Sequence, residues 1–443
     1  MEKDIKLKTG KTILSFLSIF ICIVIVLLIL MVGVAKIPKK LIKENMIESA
    51  NYLLEKPMYY ELIKDCDATK IDHYADAITL NTVYNLDSNE SLKSVLYSKF
   101  YGNNGNVEAR NLLKTVTEEN CEPQCQYIRY WHGEMIILKV MLMILNIKQI
   151  YMLNAAILIV LTAILSYKLI KNKMYAVFVG VIIAMIATNA FVAPLALEYI
   201  SMYFVMLIGS IVLLHYAEKG KTKNCILIFF LIGIFTCFFD FLTIETITLL
   251  VPLIILLVYK YKDCKNIQIK EISKYILKIV IAWASGYVLM WIAKWGISVI
   301  YLNEDIKKVV FDNAIARIKE GTVYGLEEPI KTSKSVILRN IHCLFPICFF
   351  DYKNAIIFIS AFILISFLFI TRKDEDKKLS LILFALGIVP YIRYLIIKGH
   401  SLNHYFFTYR AQFATILAII IGSYYMIDKK LLRRKSTCKI KKN

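Results

Sequence analysis

The sequence lacks the short motifs by which several classes of protein are recognised. Its ten cysteines are scattered, several lie inside apolar runs, and no Cys-x-x-Cys pair or Cys/His array has zinc-site spacing. It contains no P-loop, no Gly-x-Gly-x-x-Gly motif, no internal repeat and no low-complexity tract. These absences argue against zinc-binding and nucleotide-binding modules. The lack of a repeat between the two halves also weighs against transporters built from inverted repeats.

The composition is that of a membrane protein. Hydrophobic residues make up 58% of the 443 residues and the mean hydropathy is +0.58, whereas soluble domains are about 45–50% apolar. The net charge of +20 comes from basic residues in short clusters between apolar runs. This pattern reports membrane topology, so no nucleic-acid partner is predicted.

About ten apolar segments approach the roughly 20 residues that a spanning helix needs. The sequence therefore predicts an all-α polytopic membrane protein. The predicted spans are 13–35, 151–170, 174–192, 199–216, 225–240, 243–259, 275–301, 355–371, 379–398 and 409–427.

Lysine and arginine set the predicted orientation. With the N-terminus inside, the inner segments carry half of the 54 basic residues, while the short outer loops 193–198 and 240–245 carry none. The apolar run Thr12–Ala35 is longer than a signal peptide and has a poor cleavage site, so it predicts an uncleaved anchor. Both termini are expected in the cytoplasm of a multi-pass cell-membrane protein.

The predicted domain organisation follows from these spans. A large, mainly helical extracytoplasmic loop follows the first helix, and Ile71, Ala75 and Ile78 would form its apolar edge. The apolar segments Glu134–Ile150 and Lys334–Phe350 are expected at the outer interface, because a full crossing by either would invert the later basic clusters. The predicted order is a cytoplasmic N-terminus 1–12, the first helix 13–35, the loop 36–150, helices two to seven 151–301, a second outer loop 302–354, helices eight to ten 355–427 and a basic cytoplasmic tail 428–443.

The first candidate site group lies in the large loop. Asp72 and Asp76, four residues apart, would project from one face of a helix beside His73. Two such carboxylates can bind a divalent cation, or one can act as a base toward a hydroxyl group. The alternative is a pair of solvated surface acids. A divalent metal ion is thus left open, and no other cofactor is indicated.

The second group is the predicted outer turn around Asp240, which is flanked by phenylalanines. An acid at hydrocarbon depth is costly, so Asp240 is a functional candidate. The alternative is that its carboxylate caps the following helix. Glu245 is the weaker candidate.

The third group gathers cations, histidines and phenols at the predicted outer ends of the last two helices. Such groups suit a phosphate or pyrophosphate, for which arginine offers a bidentate fork. The alternatives are snorkelling of the cations and an aromatic belt. The members are Arg393, Lys398, His400, His404, Tyr405, Tyr409 and Arg410.

A fourth candidate lies where the large loop returns to the membrane. Trp131 and His132 could stack on and hydrogen-bond a sugar, or Trp131 could be an interfacial anchor.

One anchor helix, a large helical outer loop and many helices with acids and arginines at their outer ends form a layout that resembles the GT-C fold glycosyltransferases. That superfamily includes protein mannosyltransferases and lipid A aminoarabinose transferases. The resemblance implies a catalytic acid in the first outer loop, a polyprenyl-phosphate sugar donor and basic residues that hold the phosphate. The chain departs from the pattern because Glu44 and Glu48 stand alone near the first helix, and Asp72 and Asp76 come well downstream. The segments Tyr130–Gly133, Phe239–Phe241 and His404–Arg410 also look like those of uncharacterised multi-pass bacterial membrane proteins.

The leading functional hypothesis is a transferase that moves a sugar from a lipid-phosphate donor to a glycan, lipid or protein acceptor at the outer face of the cell membrane. Asp72 or Asp76 would act on the acceptor, and Arg393 and Arg410 would hold the phosphate. A transporter or flippase for a lipid-linked glycan, a surface-polysaccharide polymerase and a non-catalytic scaffold are the alternatives.

Overall fold

The structure is a computed structural model. It describes residues 2–103, 107–118, 120–221, 224–264, 268–302, 333–345 and 374–426, with a few further positions between 356 and 363.

The described residues are predominantly helical, and six helices are long and apolar enough to cross a membrane. Three shorter apolar helices accompany them. The six are Ile13–Ala35, Ile147–Lys171, Leu197–Glu218, Ile269–Leu302, Lys378–Ile396 and Tyr405–Met426; the three are Tyr175–Ala187, Asn224–Phe239 and Thr246–Tyr261. These lengths are consistent with a multi-pass membrane protein. The predicted span 355–371 lies mostly outside the described residues, so the count of ten stays a prediction.

Elements are numbered here along the described part of the chain. The helices are α1 Glu2–Ala35, α2 Lys43–Leu54, α3 His73–Tyr84, α4 Ser91–Tyr97, α5 Glu108–Thr117, α6 Met135–Met141, α7 Ile147–Lys171, α8 Tyr175–Ala187, α9 Leu197–Glu218, α10 Asn224–Phe239, α11 Thr246–Tyr261, α12 Ile269–Leu302, α13 Ser333–His342, α14 Asp374–Ile396, α15 Lys398–Asn403, α16 Tyr405–Thr408 and α17 Phe413–Met426. Short 3₁₀ helices cover Lys39–Leu41, Asp67–Thr69, Ala190–Leu195 and Tyr409–Gln412, and the strands are β1 Tyr59–Glu61 and β2 Lys70–Asp72.

Helices α10 and α12 touch backbone to backbone. A Cβ atom added to Gly233 would lie 2.0 Å from the Trp283 carbonyl oxygen, and one added to Gly286 would lie 2.2 Å from that of Phe230. Only glycine permits this approach, which is the way membrane helices gain van der Waals contact. The pair fixes the position of the turn that follows α10.

The segment between α1 and α7, called the loop unit here, shares an apolar core with α10 and α12. Side chains from α2, α3 and α5 pack there with the end of α1. The unit is mainly helical, and β1 and β2 add an antiparallel hairpin that pairs Tyr59 with Asp72. Ile71 is therefore on a strand and does not share a helix with Ala75 and Ile78. Among the described residues, Cys121 and Cys125 form no disulfide bond.

The apolar segment 134–150 is broken into two helices. Helix α6 has seven residues, too few to cross a bilayer, and Asn146 then caps α7 through a reciprocal side-chain bond with Gln149. In the segment 334–350, α13 has ten residues, and 346–350 lie outside the described residues.

The helical bundle has two chemically distinct ends. At one end, called the loop end, α1 finishes, α7 and α9 begin, and the loop unit is bound through bonds such as that from Ile147 N to Ser49 Oγ (2.8 Å). At the far end Lys168 pairs with Glu218 at 2.9 Å, and Lys262 Nζ donates to the Asn172 carbonyl at 2.5 Å. The buried acids and arginines described below lie at the loop end.

Candidate functional site at the loop end

Asp76 joins the loop unit to two membrane helices. It lies in the first turn of α3 and is buried. Its Oδ1 accepts a hydrogen bond from Leu197 N at 2.9 Å, and its Oδ2 is bonded to the Tyr151 hydroxyl group. Because Tyr151 is on α7 and Leu197 begins α9, this carboxyl group anchors the loop unit. Burial raises the pKa of Asp76 to about 8, so the folded protein holds this proton at neutral pH.

Asp72 and His73 are also buried, at the start of the same helix. Asp72 caps α3 by accepting from Ala75 N at 2.9 Å, and burial raises the pKa of Asp72 to about 6. The His73 ring contacts those of Tyr52 and Tyr60, and burial lowers its pKa to about 4, so the imidazole is neutral. The alternative that the two acids are solvated surface groups is therefore wrong.

The first-loop acids already bond to the protein. One oxygen of Asp72 and both oxygens of Asp76 have protein partners. Among the described residues, no group of three or more His, Cys, Asp or Glu side chains is arranged to hold a metal ion. A catalytic role for either acid stays a prediction, and their geometry is that of structural anchors.

Asp240 organises the turn between α10 and α11. Its Oδ1 accepts from both the backbone N–H and the hydroxyl group of Thr243 at 2.9 Å, and its Oδ2 accepts from the Tyr287 hydroxyl at 3.3 Å. The turn is tight, since Leu242 has a left-handed φ of 62°. Asp240 thus has a local structural role close to the capping alternative.

Arg393 is paired with Glu245, the acid that the sequence ranked lower. Arg393 Nε donates to Oε1 at 2.9 Å and Nη2 donates to Oε2 at 3.1 Å, which is a bidentate pair. Its Nη1 reaches Ser401 Oγ at 3.2 Å, and Nη2 also reaches the Leu242 carbonyl at 2.6 Å. All three guanidinium nitrogens therefore donate to the protein, which weighs against a phosphate role for Arg393.

Arg410 is fully buried without an acid at ion-pair distance among the described residues. Its Nη1 donates to the Phe406 carbonyl at 2.8 Å, its Nη2 lies 3.4 Å from the Ala68 carbonyl, and its Nε has no partner in the described structure. The guanidinium carbon lies 4.8 Å from the ring centres of both Tyr199 and Tyr409. Arg410 thus keeps one donor unused.

The structure brings the third predicted group against the loop unit. The Tyr405 hydroxyl donates to Asp67 Oδ2 at 2.5 Å, and the Tyr409 hydroxyl lies 2.9 Å from the Ala68 carbonyl. His400 Nε2 lies 2.8 Å from the Leu242 carbonyl, and the rings of His400 and His404 are 4.7 Å apart. These residues connect the last helices to the loop unit and to the Asp240 turn.

Trp131 is buried and holds the loop unit to α12. Its Nε1 donates to the Met290 carbonyl at 2.8 Å, and its ring packs against Phe238. It is therefore not an exposed interfacial anchor, and stacking of this ring on a sugar stays a prediction.

His132 contacts a buried acid that the sequence did not single out, Glu134. His132 has a left-handed φ of 56°, and its Nε2 lies 2.9 Å from the Tyr127 carbonyl. Its Nδ1 lies 3.4 Å from Glu134 Oε1, without hydrogen-bond geometry. Glu134 is 7% exposed, and neither of its oxygens has a hydrogen-bond partner among the described residues.

The bonding of the two ring nitrogens of His132 determines how His132 faces Glu134. A carbonyl group can only accept, so Nε2 carries a hydrogen toward Tyr127. A bare Nδ1 lone pair facing an ionised carboxylate would be repulsive. A proton on either atom removes that repulsion, and at 3.4 Å without hydrogen-bond geometry the pair is a buried contact between two ionisable groups.

The backbone around Gly133 explains why Glu134 is buried. Gly133 N donates to the Phe238 carbonyl at 3.0 Å, and a Cβ atom at Gly133 would lie 2.3 Å from Phe238 Cδ1. Because Gly133 has no side chain, the loop unit can lie against the end of α10 where it returns to the membrane. Glu134, the first residue of the apolar segment, is therefore buried.

Glu134 lies in the wall of an apolar groove of about 290 Å³ between α6, α7 and α9. Ile137 and Ile208, 47% and 48% exposed, lie where the groove opens on the flank of the bundle. Among the described residues, the lining contains one ionisable side chain. Its members are Glu134, Ile137, Leu138, Met141, Ile150, Asn154, Ile157, Leu197, Ile200, Ser201, Phe204, Val205, Ile208 and Phe239.

A second cavity of about 250 Å³ lies within the loop unit. It is lined by aromatic, amide and guanidinium groups, namely Tyr74, Ile78, Phe100, Gln126, Tyr127, Ile128 and Arg129. Tyr127 belongs to this lining, and its carbonyl group bonds to His132 Nε2 at 2.9 Å.

Arg410 lies apart from the groove. Leu197, Ile200 and Phe204 face the groove from α9, whereas Tyr199, which stacks on Arg410, faces another side of that helix. The structure therefore separates the phosphate ligand predicted at Arg410 from Glu134.

The sequence contained a signal for Glu134: a lone acid directly after a glycine at the head of an apolar run. Comparisons of the chain with family models, with curated proteins and with solved structures found no match.

Proposed function

We propose that this chain is a membrane glycosyltransferase that moves a sugar from a lipid-phosphate donor to an acceptor hydroxyl group, within the GT-C architecture that its layout resembles. The observation that carries the proposal is Glu134, a buried acid without hydrogen bonds among the described residues, set in an apolar groove and beside His132. A buried carboxyl group without partners costs free energy. An unsatisfied buried polar group in a folded protein calls for an explanation, and a catalytic role is one of the few available.

The groove supplies the lipid part of the proposal. Its apolar walls lie on α7 and α9, two helices long enough to cross the membrane, and it opens on their flank. An isoprenoid or acyl chain could enter it sideways from the bilayer without crossing water. The head of such a lipid would then lie beside Glu134.

The His132–Glu134 pair supplies the chemistry. A bond forms between the acceptor oxygen and the anomeric carbon of the sugar, while the bond from that carbon to the phosphate oxygen of the lipid breaks. The acceptor proton passes to Glu134 Oε1, which must be unprotonated to receive it, and His132 Nδ1 lies 3.4 Å from that oxygen. The lipid phosphate leaves with the electron pair of the broken bond.

The proposal gives the predicted residues different tasks. Asp72, Asp76 and Asp240 hold the loop unit and the turn after α10 around the pair. Phosphate binding by Arg393 and Arg410 stays a prediction, and of the two only Arg410 keeps an unused donor among the described residues. No metal ion is required by this scheme.

The proposed orientation puts the loop end at the outer face of the cell membrane and both termini inside. The support is the sorting of charge. The far end carries basic residues such as Lys168 and Lys262, whereas the loop unit has a near balance of acids and bases.

The test uses the full chain in proteoliposomes with a panel of radiolabelled polyprenyl-phosphate hexoses and pentoses and a cell-envelope extract as acceptor. Glu134→Gln should lower the transfer rate by at least about a hundredfold, because an amide cannot take the acceptor proton. In right-side-out spheroplasts, acceptor added outside should be labelled.

The matched control is Glu122→Gln, an exposed acid of the same loop unit, which should leave transfer unchanged. Transfer by Glu134→Gln at the parent rate would remove Glu134 from the reaction. If the parent chain moved lipid-linked sugar across vesicles without transferring it to any acceptor, the transporter hypothesis would replace this one.

A further inference from the structure

We propose that the surface where α1 ends against α6 is a binding site for an anionic phospholipid. The site, called the lysine shelf here, combines four lysines with a strip of exposed apolar side chains. The lysines are Lys36, Lys39, Lys40 and Lys43, and the apolar side chains are Leu41, Ile137, Val140, Met143 and Ile144. The inference stands on the packing of these segments and does not depend on sugar transfer.

The end of α1 fixes the depth of the shelf in the membrane. The apolar span Ile13–Ala35 has 23 residues. At about 1.5 Å per residue such a span covers roughly the 30 Å of the hydrocarbon core. The segment 36–43 therefore begins at the level of the lipid headgroups, and all four of its lysines are exposed there.

Two hydrogen bonds hold α6 and the turn after it against this lysine segment. Lys139 Nζ donates to the carbonyl oxygen of Ala35, which directly precedes the segment, at 3.3 Å. Asn45 Nδ2, which follows the segment, donates to the Leu142 carbonyl oxygen at 3.0 Å. Lys139 and Leu142 are buried, so these two side chains form the inner side of the contact. The lysines and α6 are thus parts of one surface.

The exposed side chains of α6 give the tails of a lipid a place to lie. Ile137 and Val140 are one turn apart on α6 and about half exposed, and Ile144, in the turn after α6, is 78% exposed. The spanning helix α7 begins close by at Ile147, which puts the strip at the edge of the hydrocarbon core. Apolar side chains at this depth are stabilised by contact with acyl chains and not by contact with water.

The electrostatics of the shelf favour an anion. Burial, and then the charge of Lys39, lower the pKa of Lys139 to about 8. Lys39 therefore lies close enough to Lys139 for the two ammonium groups to repel each other. A phosphate group bound at the shelf would offset this repulsion.

The acids near the shelf show which lysines are left for a ligand. Burial lowers the pKa of Lys39, and the charge of Asp87 opposes that shift, so Asp87 lies near Lys39. Glu48 accepts from Asn146 Nδ2 at 2.8 Å, and Glu44 is the one acid within residues 36–47 of the sequence. We therefore assign the phosphate to the three remaining lysines, Lys36, Lys40 and Lys43.

An anionic phospholipid matches both halves of the shelf. Lysine binds phosphate as a point charge, and a cluster of about four or more basic residues directly after a spanning helix is typical of anionic-lipid binding. A choline headgroup would bring its own cation to the lysines, and inorganic phosphate would leave the apolar strip uncovered. Lysines beside a span often set topology instead, but the proposed orientation puts these four outside, where topology does not call for them.

The experiment uses the full chain, purified in detergent and titrated with dioctanoyl phosphatidylglycerol or dioctanoyl phosphatidylcholine. Binding is read from the rise of the thermal midpoint, followed by tryptophan fluorescence. Phosphatidylglycerol should bind at least about tenfold more tightly than phosphatidylcholine, because its headgroup carries no cation. The combined variant Lys36→Gln, Lys40→Gln and Lys43→Gln should reduce that preference to about twofold or less.

The matched control changes three other exposed lysines of the loop unit, with the same change of charge. Lys56→Gln, Lys64→Gln and Lys93→Gln together should keep the preference. Arginine at positions 36, 40 and 43 keeps the charge and should also keep it. An unchanged midpoint without lipid would show that each variant is folded, and Ile144→Ser should weaken the binding of both lipids alike.

Three results would overturn the inference. The first is equal binding of the two lipids by the parent chain, and the second is an unchanged preference in the folded glutamine variant. The third is displacement of phosphatidylglycerol by inorganic phosphate or by undecaprenyl phosphate at equal or lower concentration, because the shelf would then recognise free phosphate or the lipid of a sugar donor.

Discussion

Asp76 and Glu134 are both buried acids at the loop end, yet their surroundings differ in kind. Both oxygens of Asp76 are bonded to the protein, one to a backbone N–H group and one to a tyrosine hydroxyl. Neither oxygen of Glu134 has a hydrogen-bond partner among the described residues. Burial of an acid therefore does not by itself indicate function. The state of its hydrogen bonds separates an anchor from a reactive group.

The two buried arginines show the same contrast. Arg393 forms a bidentate pair with Glu245, and each of its guanidinium nitrogens donates a hydrogen bond to the protein. Arg410 is stacked between two tyrosines, and its Nε has no hydrogen-bond partner among the described residues. A completed pair fixes the turn after α10 against α14. A buried guanidinium group with an unbonded donor can still bind a ligand.

The largest loss of stability is expected where a completed pair is broken. Glu245→Gln removes the charge that compensates Arg393, which stays buried, and breaking such a pair costs about 3–5 kcal/mol. The thermal midpoint of the chain in nanodiscs, followed by tryptophan fluorescence, should fall clearly.

The control for that variant is Glu218→Gln at the far end. Its pair with Lys168 is partly exposed, so its loss should cost less than about 1 kcal/mol. Equal shifts in the two variants would show that the Arg393 pair contributes no more than a surface contact.

A smaller effect is expected from the protonation of Asp76. Its folded pKa of about 8 lies above the unfolded value near 3.9, so the folded state binds the extra proton and stability falls as pH rises toward 8. Asp72, with a pKa of about 6, acts in the same direction at lower pH, whereas His73, with a pKa of about 4, acts in the opposite direction below about 6.5. The window from about pH 6.5 to 8 therefore reports Asp76 alone among these three groups.

The measurement compares thermal midpoints across that window. Wild type should lose up to about 2 kcal/mol, which is one proton over 1.5 pH units. Asp76→Asn reproduces the protonated acid and should lose the part of the slope that Asp76 contributes, whereas Asp87→Asn, at an exposed position, should keep the wild-type slope. A wild-type midpoint that rises with pH would contradict the assignment of this proton.

The helical bundle could be predicted from the sequence because long apolar segments directly indicate helices that are buried in lipid. Nine of the ten predicted spans coincide with long or short apolar helices in the described residues. The hairpin of β1 and β2 could not be read, because three-residue strands carry too little periodicity to compete with a helical pattern. The break before α7 depends on the cap at Asn146, a local bond inside an apolar run.

The candidate site was harder to predict than the bundle. Asp72, Asp76 and Asp240 stand out in sequence because they interrupt apolar surroundings, but that signal is the same for anchors and for reactive acids. The partners that decide the matter, Leu197 for Asp76 and Glu245 for Arg393, are distant along the chain. Glu134 was missed because its neighbour His132 and its groove are assembled only when the loop unit lies against α10.

The smallest effect on stability is expected for Glu134→Gln. Glu134→Gln keeps the shape of the side chain and removes a charge that has no hydrogen bond among the described residues, so the free energy of unfolding should change by no more than about 0.5 kcal/mol or should increase. The same thermal measurement used for Glu245→Gln applies, with both variants prepared in the same nanodiscs. A loss of about 2 kcal/mol or more would mean that Glu134 has a stabilising partner in the folded protein. Glu134 would then be an anchor like Asp76, and a loss of sugar transfer in that variant could be explained by damage to the fold. An unchanged midpoint together with lost transfer would show that the acid serves the reaction and not the fold, because the folded chain would be intact while the reaction is not.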